Sequence, residues 1–176
     1  MDYQAFWCEE NIWRLCVDAV VGPGERVVLM LTGTAGHVAC WGQRAATSDD
    51  APVLWDYHVV LAVHHESWAV WDLDCRLGHP LLASTWLATT FPCPDTMRPV
   101  FQPRCLLIPA DEYRDQLTSD RAHMRTANGG WQQPPPPWPA PCASPGTTLA
   151  TYIERARRGL TLDELTARVS SRAEPR

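Results

Sequence analysis

The sequence predicts an α+β domain, and three observations carry that prediction. An N-terminal segment spaces its apolar residues helically, two long apolar runs flank His64-His65-Glu66 in mid-chain, and two amphipathic segments follow Pro145. From Tyr3 to Val20, the residues Cys8, Ile12, Leu15, Cys16, Ala19 and Val20 recur on one helical face until Gly22-Pro23-Gly24 stops the run. Cys8 falls near the start of that helix. Arg26–Thr32 and His37–Gly42 are β-branched or apolar and are separated by Gly33 and Gly36, so they read as strands, with Thr47–Pro52 a polar connector. Val53–Val63 and Ser67–Cys75 read as two antiparallel strands joined by a tight loop at the centre of the sheet. Leu81–Ala88 is expected as a short helix, Arg104–Ile108 as a further strand, and Ala110–Leu117 as another short helix before the polar segment Ser119–Met124.

Asn128-Gly129-Gly130 marks a turn, and Pro134–Pro137 with Trp138-Pro139 follows as polyproline. Trp131 and Trp138 flank these prolines, and because large aromatics seek apolar surface, a stiff strap laid over the domain is expected rather than a free linker. Leu149–Arg158 and Leu160–Val169 read as two helices broken at Gly159, with Thr161 as a cap, and the tail from Ser170 is expected to fray. A length of 176 residues suits one catalytic domain spanning residues 1–176.

Composition narrows the chemistry. All 15 basic residues are arginine, so lysine Schiff bases, a lysine general base and the P-loop lysine are excluded together. A net charge of -5 argues against capture of nucleic acid or of an anionic membrane surface. The first ten residues contain no basic residue and are followed by no apolar run of signal-peptide type; the apolar stretches Val27–Leu31 and Val59–Val63 are far too short to span a bilayer. Seven cysteines, an odd number without any C-x-x-C pair, read as reduced thiols of a cytoplasmic protein. No H-E-x-x-H occurs, so neither metal nor cofactor is expected; G-x-G-x-x-G, G-x-x-x-x-G-K and G-x-S-x-G are missing as well.

The informative constellation is Cys8 at a helix start, His58 in the first strand of the central hairpin and Asp72 in the second. A helix N-terminus favours a thiolate, and a nearby imidazole favours it further, so Cys8 is expected to alkylate before Cys16 and below the usual thiol range. A three-residue loop, His64-His65-Glu66, would set His58 directly opposite Asp72 on one face. Asp56 and Asp74 share the parity of Asp72, so spacing alone leaves the orienting carboxylate open.

The blocks Cys8-Glu9-Glu10-Asn11-Ile12-Trp13, Val53 through Leu61 (VLWDYHVVL), Asp72-Leu73-Asp74, Ser119 through Met124 (SDRAHM) and Pro134–Pro137 with Trp138-Pro139 occur in this order between Tyr3 and Val169. Together they resemble the protein N-terminal glutamine amidohydrolase family. The resemblance implies a papain/transglutaminase-like fold, with Cys8 as nucleophile, His58 as general base and acid, and Asp72, rather than Asp74, as the orienter. It implies conversion of an N-terminal glutamine to glutamate with release of ammonia, on peptide or protein substrates, by a monomer. A carboxylate would then have to take the substrate's α-ammonium, with Glu9, Glu10, Asp56 and Asp120 available and Glu9, Asp56 and Asp120 put forward. A transglutaminase-like acyltransferase and a catalytically silent module binding peptide ends are the alternatives.

Overall fold

The computed structural model describes residues 1–93 and 96–170. Its centre is a five-stranded antiparallel sheet built from β1 (Glu25–Gly33), β4 (His58–His64), β5 (Trp68–Trp71), β6 (Leu81–Leu82) and β7 (Pro103–Pro109), in the order β6-β5-β4-β1-β7. Two short strands, β2 (Val38–Cys40) and β3 (Val53–Trp55), pair with each other outside it. A third, parallel pair joins β8 (Leu117–Thr118) to β9 (Thr147–Thr148). The helices are α1 (Cys8–Leu15), α2 (Ala83–Thr90), α3 (Ala110–Gln116), α4 (Leu149–Ala156) and α5 (Leu162–Ser170).

Six of the seven residues of β4 are fully buried, because the sheet is covered on both faces. Val28, Met30, Val59, Leu61 and Ile108 pack towards α1, α3 and α4, while Leu29, Leu31, Val60 and Ala62 pack towards α2, α5 and β2. That double cover explains why these strands read as continuous apolar runs rather than as alternation. The helix α5 begins with a reciprocal cap in which Glu164 N–H donates to Thr161 Oγ1 and Thr161 N–H donates to Glu164 Oε2, as the Thr161 signal predicts. Gly159 lies where a Cβ would sit 2.2 Å from the Cys105 carbonyl oxygen, so only glycine lets the chain dock on β7 between α4 and α5.

Several expectations are corrected. The first helix spans only eight residues rather than Tyr3–Val20: Arg26 donates to the carbonyls of Cys16 and Gly22, ending the helix, and Ala19 and Val20 lie exposed in a 3-10 turn. Val53–Val63 is not one strand. The chain bends at Asp56-Tyr57, so β3 joins β2 and β4 starts at His58. In the central hairpin His64 pairs with Trp68, so the loop is His65-Glu66-Ser67, one residue later than predicted. His64 and Trp68 rings then meet at 4.9 Å across the strands. The partner of His58 in the ladder is Leu31 on β1, and β5 has ended before Asp72. Helix α5 continues through Ser170; the remainder of the expected frayed tail lies outside the described residues.

Candidate functional site

Cys8 is the first residue of α1, half-buried, and a strained turn aims it. Phe6 adopts φ 67°, a left-handed conformation that a bulky residue tolerates only when its surroundings enforce it. The enforcement comes from Asn11, one helical turn after Cys8. Its side chain donates to the Gln4 carbonyl at 2.7 Å and accepts from the Gln4 N–H at 2.9 Å. Trp7, fully buried, donates its indole N–H to the Pro134 carbonyl, which ties the same turn to the polyproline segment.

His58 starts β4 and is buried with its ring stacked on Trp55 at 5.7 Å. Its Nε2 lies 3.0 Å from Asp72 Oδ1, while Nδ1 has no hydrogen-bond partner among the described residues. Asp72 is saturated with donors: Gln43 Nε2 at 3.0 Å and Trp86 Nε1 at 3.1 Å on Oδ2, and the Asp74 N–H at 3.1 Å on Oδ1. Burial alone would raise the Asp72 carboxyl, but His58, Gln43 and Trp86 overcome it and bring the pKa to about 2. For His58, burial disfavours the imidazolium, yet the charge and hydrogen bond of Asp72 outweigh it and the pKa rises above the ordinary histidine value. The register shift leaves His58 and Asp72 in contact because β5 stops at Trp71 and the turn Asp72–Cys75 swings the carboxylate back under the ring.

The sulfur departs from expectation. Burial first, then the charges of Glu9, Asp74 and Asp72, push the Cys8 thiol well above its ordinary value, against a favourable contact from the Val59 N–H. Glu9 Oε2 lies 3.8 Å from the sulfur as an S–H acceptor. Cys93 and Cys142 are the exposed thiols, so accessibility alone puts them ahead of Cys8 in alkylation.

Cys8, Tyr57, His58, Asp74 and His123 line one cleft of about 480 Å³. Of the carboxylates put forward for the α-ammonium, Glu9 lies fully buried beneath it, accepting from Tyr57 Oη at 2.9 Å, with His123 Nε2 3.3 Å from its other oxygen. Asp56 stands at the rim, 81% exposed and 3.1 Å from His37. Asp120 does not reach the cleft: it is exposed and its side chain accepts from the Ala122 N–H. Glu10, the fourth available, is buried and engaged from two sides, by a bidentate Arg121 at 2.7 Å and by Trp138 Nε1 at 3.0 Å. Arg121 thus pairs with Glu10, not with its neighbour Asp120, and it also donates to the Trp138 carbonyl. The polyproline segment is accordingly a strap anchored on α1. His58, Asp72 and Asp74 place one ligand atom each within 4.8 Å of one another, but the protein donors that saturate Asp72 make this a hydrogen-bonded cluster rather than a cation cradle.

Sequence reasoning missed the supports of this site. Trp86 sits in a short helix and Gln43 just beyond a strand, and neither position carries a pattern that marks it as a partner of Asp72. Tyr57 and His123 lie in the blocks quoted above, but only the fold shows that both converge on Glu9.

The family model described as N-terminal glutamine amidase matches residues 3–169. The Protein N-terminal glutamine amidohydrolase of Homo sapiens is 36% identical over 145 residues, covering 78% of this chain and 69% of the relative. The proteins of the same name in Drosophila ananassae and Bos taurus are 35% and 34% identical, each over 78% of this chain, covering 70% and 69% of their own lengths.

Proposed function

Because the chain belongs to the N-terminal glutamine amidase family, we propose that it deamidates the side chain of an N-terminal glutamine in peptides or proteins, giving glutamate and ammonia. The observation that supports this most is half-buried Cys8 and buried His58, with a free Nδ1, lining one cleft, and donor-saturated Asp72 bonded to the other ring nitrogen of His58. A nucleophile at a helix start, packed on an antiparallel sheet whose strand end carries the histidine, also favours a papain/transglutaminase-like arrangement. One catalytic domain acting as a monomer in the cytoplasm is part of the same reading, in keeping with seven free cysteines.

In this mechanism His58 takes the Cys8 proton on Nδ1 as the sulfur attacks the side-chain amide carbon of the substrate. Backbone N–H groups at the start of α1 meet the developing oxyanion. The tetrahedral intermediate collapses when His58 returns the proton to the departing nitrogen, releasing ammonia and leaving a thioester. Neutral His58 then draws a proton from water, hydroxide adds to the thioester carbon, and the Cys8 thiol leaves with the proton from His58, freeing the carboxylic acid. Asp72, bonded to Nε2, fixes the tautomer that leaves Nδ1 free to accept a proton. Glu9 holds Tyr57 and His123 in the wall of the cleft, and Asp56 adds negative charge at its rim.

Ammonia release from a Gln-initiated peptide, compared with a peptide carrying only internal glutamine, tests the reading. Activity confined to the first, and abolished by Cys8→Ala, is expected; equal release from both refutes the requirement for a terminal residue.

A further inference from the structure

Choosing a terminal glutamine over an internal one requires a carboxylate that reads the α-ammonium, and the residues expected to do so are poorly placed. Asp120 lies outside the cleft, Asp56 stands in solvent beside His37, Glu10 is occupied by Arg121, and Glu9, although its Oε1 has no hydrogen bond, is fully buried and does not line the cleft. Another carboxylate faces the cleft. Asp74 is 4% exposed and lines the cleft with Cys8 and His58. Its carboxylate comes within 4.8 Å of the His58 ring nitrogen. Its backbone is fixed, with the N–H donating to Asp72 Oδ1 and the carbonyl accepting from the Arg44 N–H at 2.7 Å.

The two oxygens of Asp74 differ. Oδ1 accepts from the Tyr3 hydroxyl at 2.5 Å, whereas no hydrogen bond reaches Oδ2 and no basic side chain pairs with this carboxylate within 4.0 Å among the described residues. A buried carboxylate with one oxygen held and the other bare calls for a cation. Burial first, and then the charge of Asp72, raise its pKa, partly offset by His58, Tyr3 and Arg44. Glutamine's α-nitrogen and side-chain amide carbon are four bonds apart, at most about 5 Å, so the ammonium and the reacting carbon of one substrate both fall within the cleft that Asp74 and Cys8 line together.

We propose that Asp74 is the α-ammonium acceptor of this cleft, with Tyr3 clamping one carboxylate oxygen and leaving the other for the substrate's terminal –NH3⁺. The assignment rests on the deamidation reading above and deepens it, because it makes terminal selectivity a charge pair formed next to the nucleophile.

The test compares a Gln-initiated peptide with the same peptide capped by a 4-carbamoylbutanoyl group, which keeps the side-chain amide and lacks only the α-amine. Wild-type protein is expected to prefer the amine-bearing peptide by about 100-fold in kcat/KM, the scale of a desolvated charge pair. Asp74→Asn is expected to lose about that factor on the amine-bearing peptide and to treat the two substrates within about threefold of each other. Tyr3→Phe, which removes the clamp and keeps the ring, should narrow the preference in kcat/KM, and an unchanged preference in this variant overturns the assignment even if Asp74→Asn does not fold. A variant that slows both substrates equally, leaving the preference intact, overturns the assignment. Wild-type protein that releases no ammonia from the Gln-initiated peptide overturns the deamidation reading itself, and this assignment with it.

Discussion

Removing the Arg121 guanidinium should destabilise the protein far more than an ordinary surface arginine would. Its partner, Glu10, is fully buried, and two guanidinium hydrogen bonds of 2.7 Å together with the Trp138 indole satisfy its carboxylate. In Arg121→Leu that carboxylate remains buried with one neutral donor, a change that costs about 3–5 kcal/mol when one partner of a buried pair is removed. For a chain of this size each kcal/mol moves the melting temperature by about 2–4 °C, so a fall of about 6–20 °C is expected in a thermal unfolding scan followed by circular dichroism. The double variant Glu10→Leu/Arg121→Leu should recover much of the loss, because no charge is then stranded and the remaining cost is the Trp138 N–H without its acceptor. A single variant that melts within about 2 °C of wild type, or a double variant that is less stable than Arg121→Leu, would show that the pair does not anchor the strap.

Four further outcomes follow from the same contacts. Asp72→Asn should lower kcat by about 10⁴-fold, since His58 loses the acceptor that fixes its tautomer; steady-state ammonia release measures it. The same variant should move the His58 titration, read by NMR of the ring protons, to lower pH, because burial then acts without the opposing carboxylate. For stability, Asp72 has a folded-state pKa of about 2 against 3.8 unperturbed, so its contribution of about 2 kcal/mol is present above pH 4 and is lost as pH falls towards 2; acid unfolding of wild type and Asp72→Asn should converge over that window. Trp86→Phe removes one donor to a buried charge and should cost about 1.5–3 kcal/mol in chemical denaturation while leaving Cys8 and His58 in place.

The helical N-terminus, the central hairpin and the paired C-terminal helices were legible because each rests on a local signal: a periodicity, a turn or a cap. The one-residue shift of the hairpin was not, since a His64–Trp68 ring contact and the loop conformation choose between registers that the apolar pattern leaves equal. Cys8, His58 and Asp72 could be named from ordered blocks, whereas Gln43, Trp86, Tyr3 and Asp74 act through contacts 14 to 71 residues apart in sequence, which no local pattern encodes. The acceptor of the substrate's α-ammonium was not legible for a related reason. Glu9 and Asp120 look available in one dimension, and only packing shows one to be fully buried and the other turned to solvent.

The carboxylates crowded around Cys8 also bear on the life of the protein between encounters with substrate. Peroxide and adventitious electrophiles react with the thiolate, so burial and the charges of Glu9, Asp74 and Asp72, which push the thiol pKa up, disfavour the form from which sulfenic and sulfinic acids arise. A cation arriving in the cleft counters that negative field and makes the proton easier to remove, so reactivity rises at the time a substrate is present to use it. The same acidic wall that opposes the nucleophile at rest thereby serves as its protection.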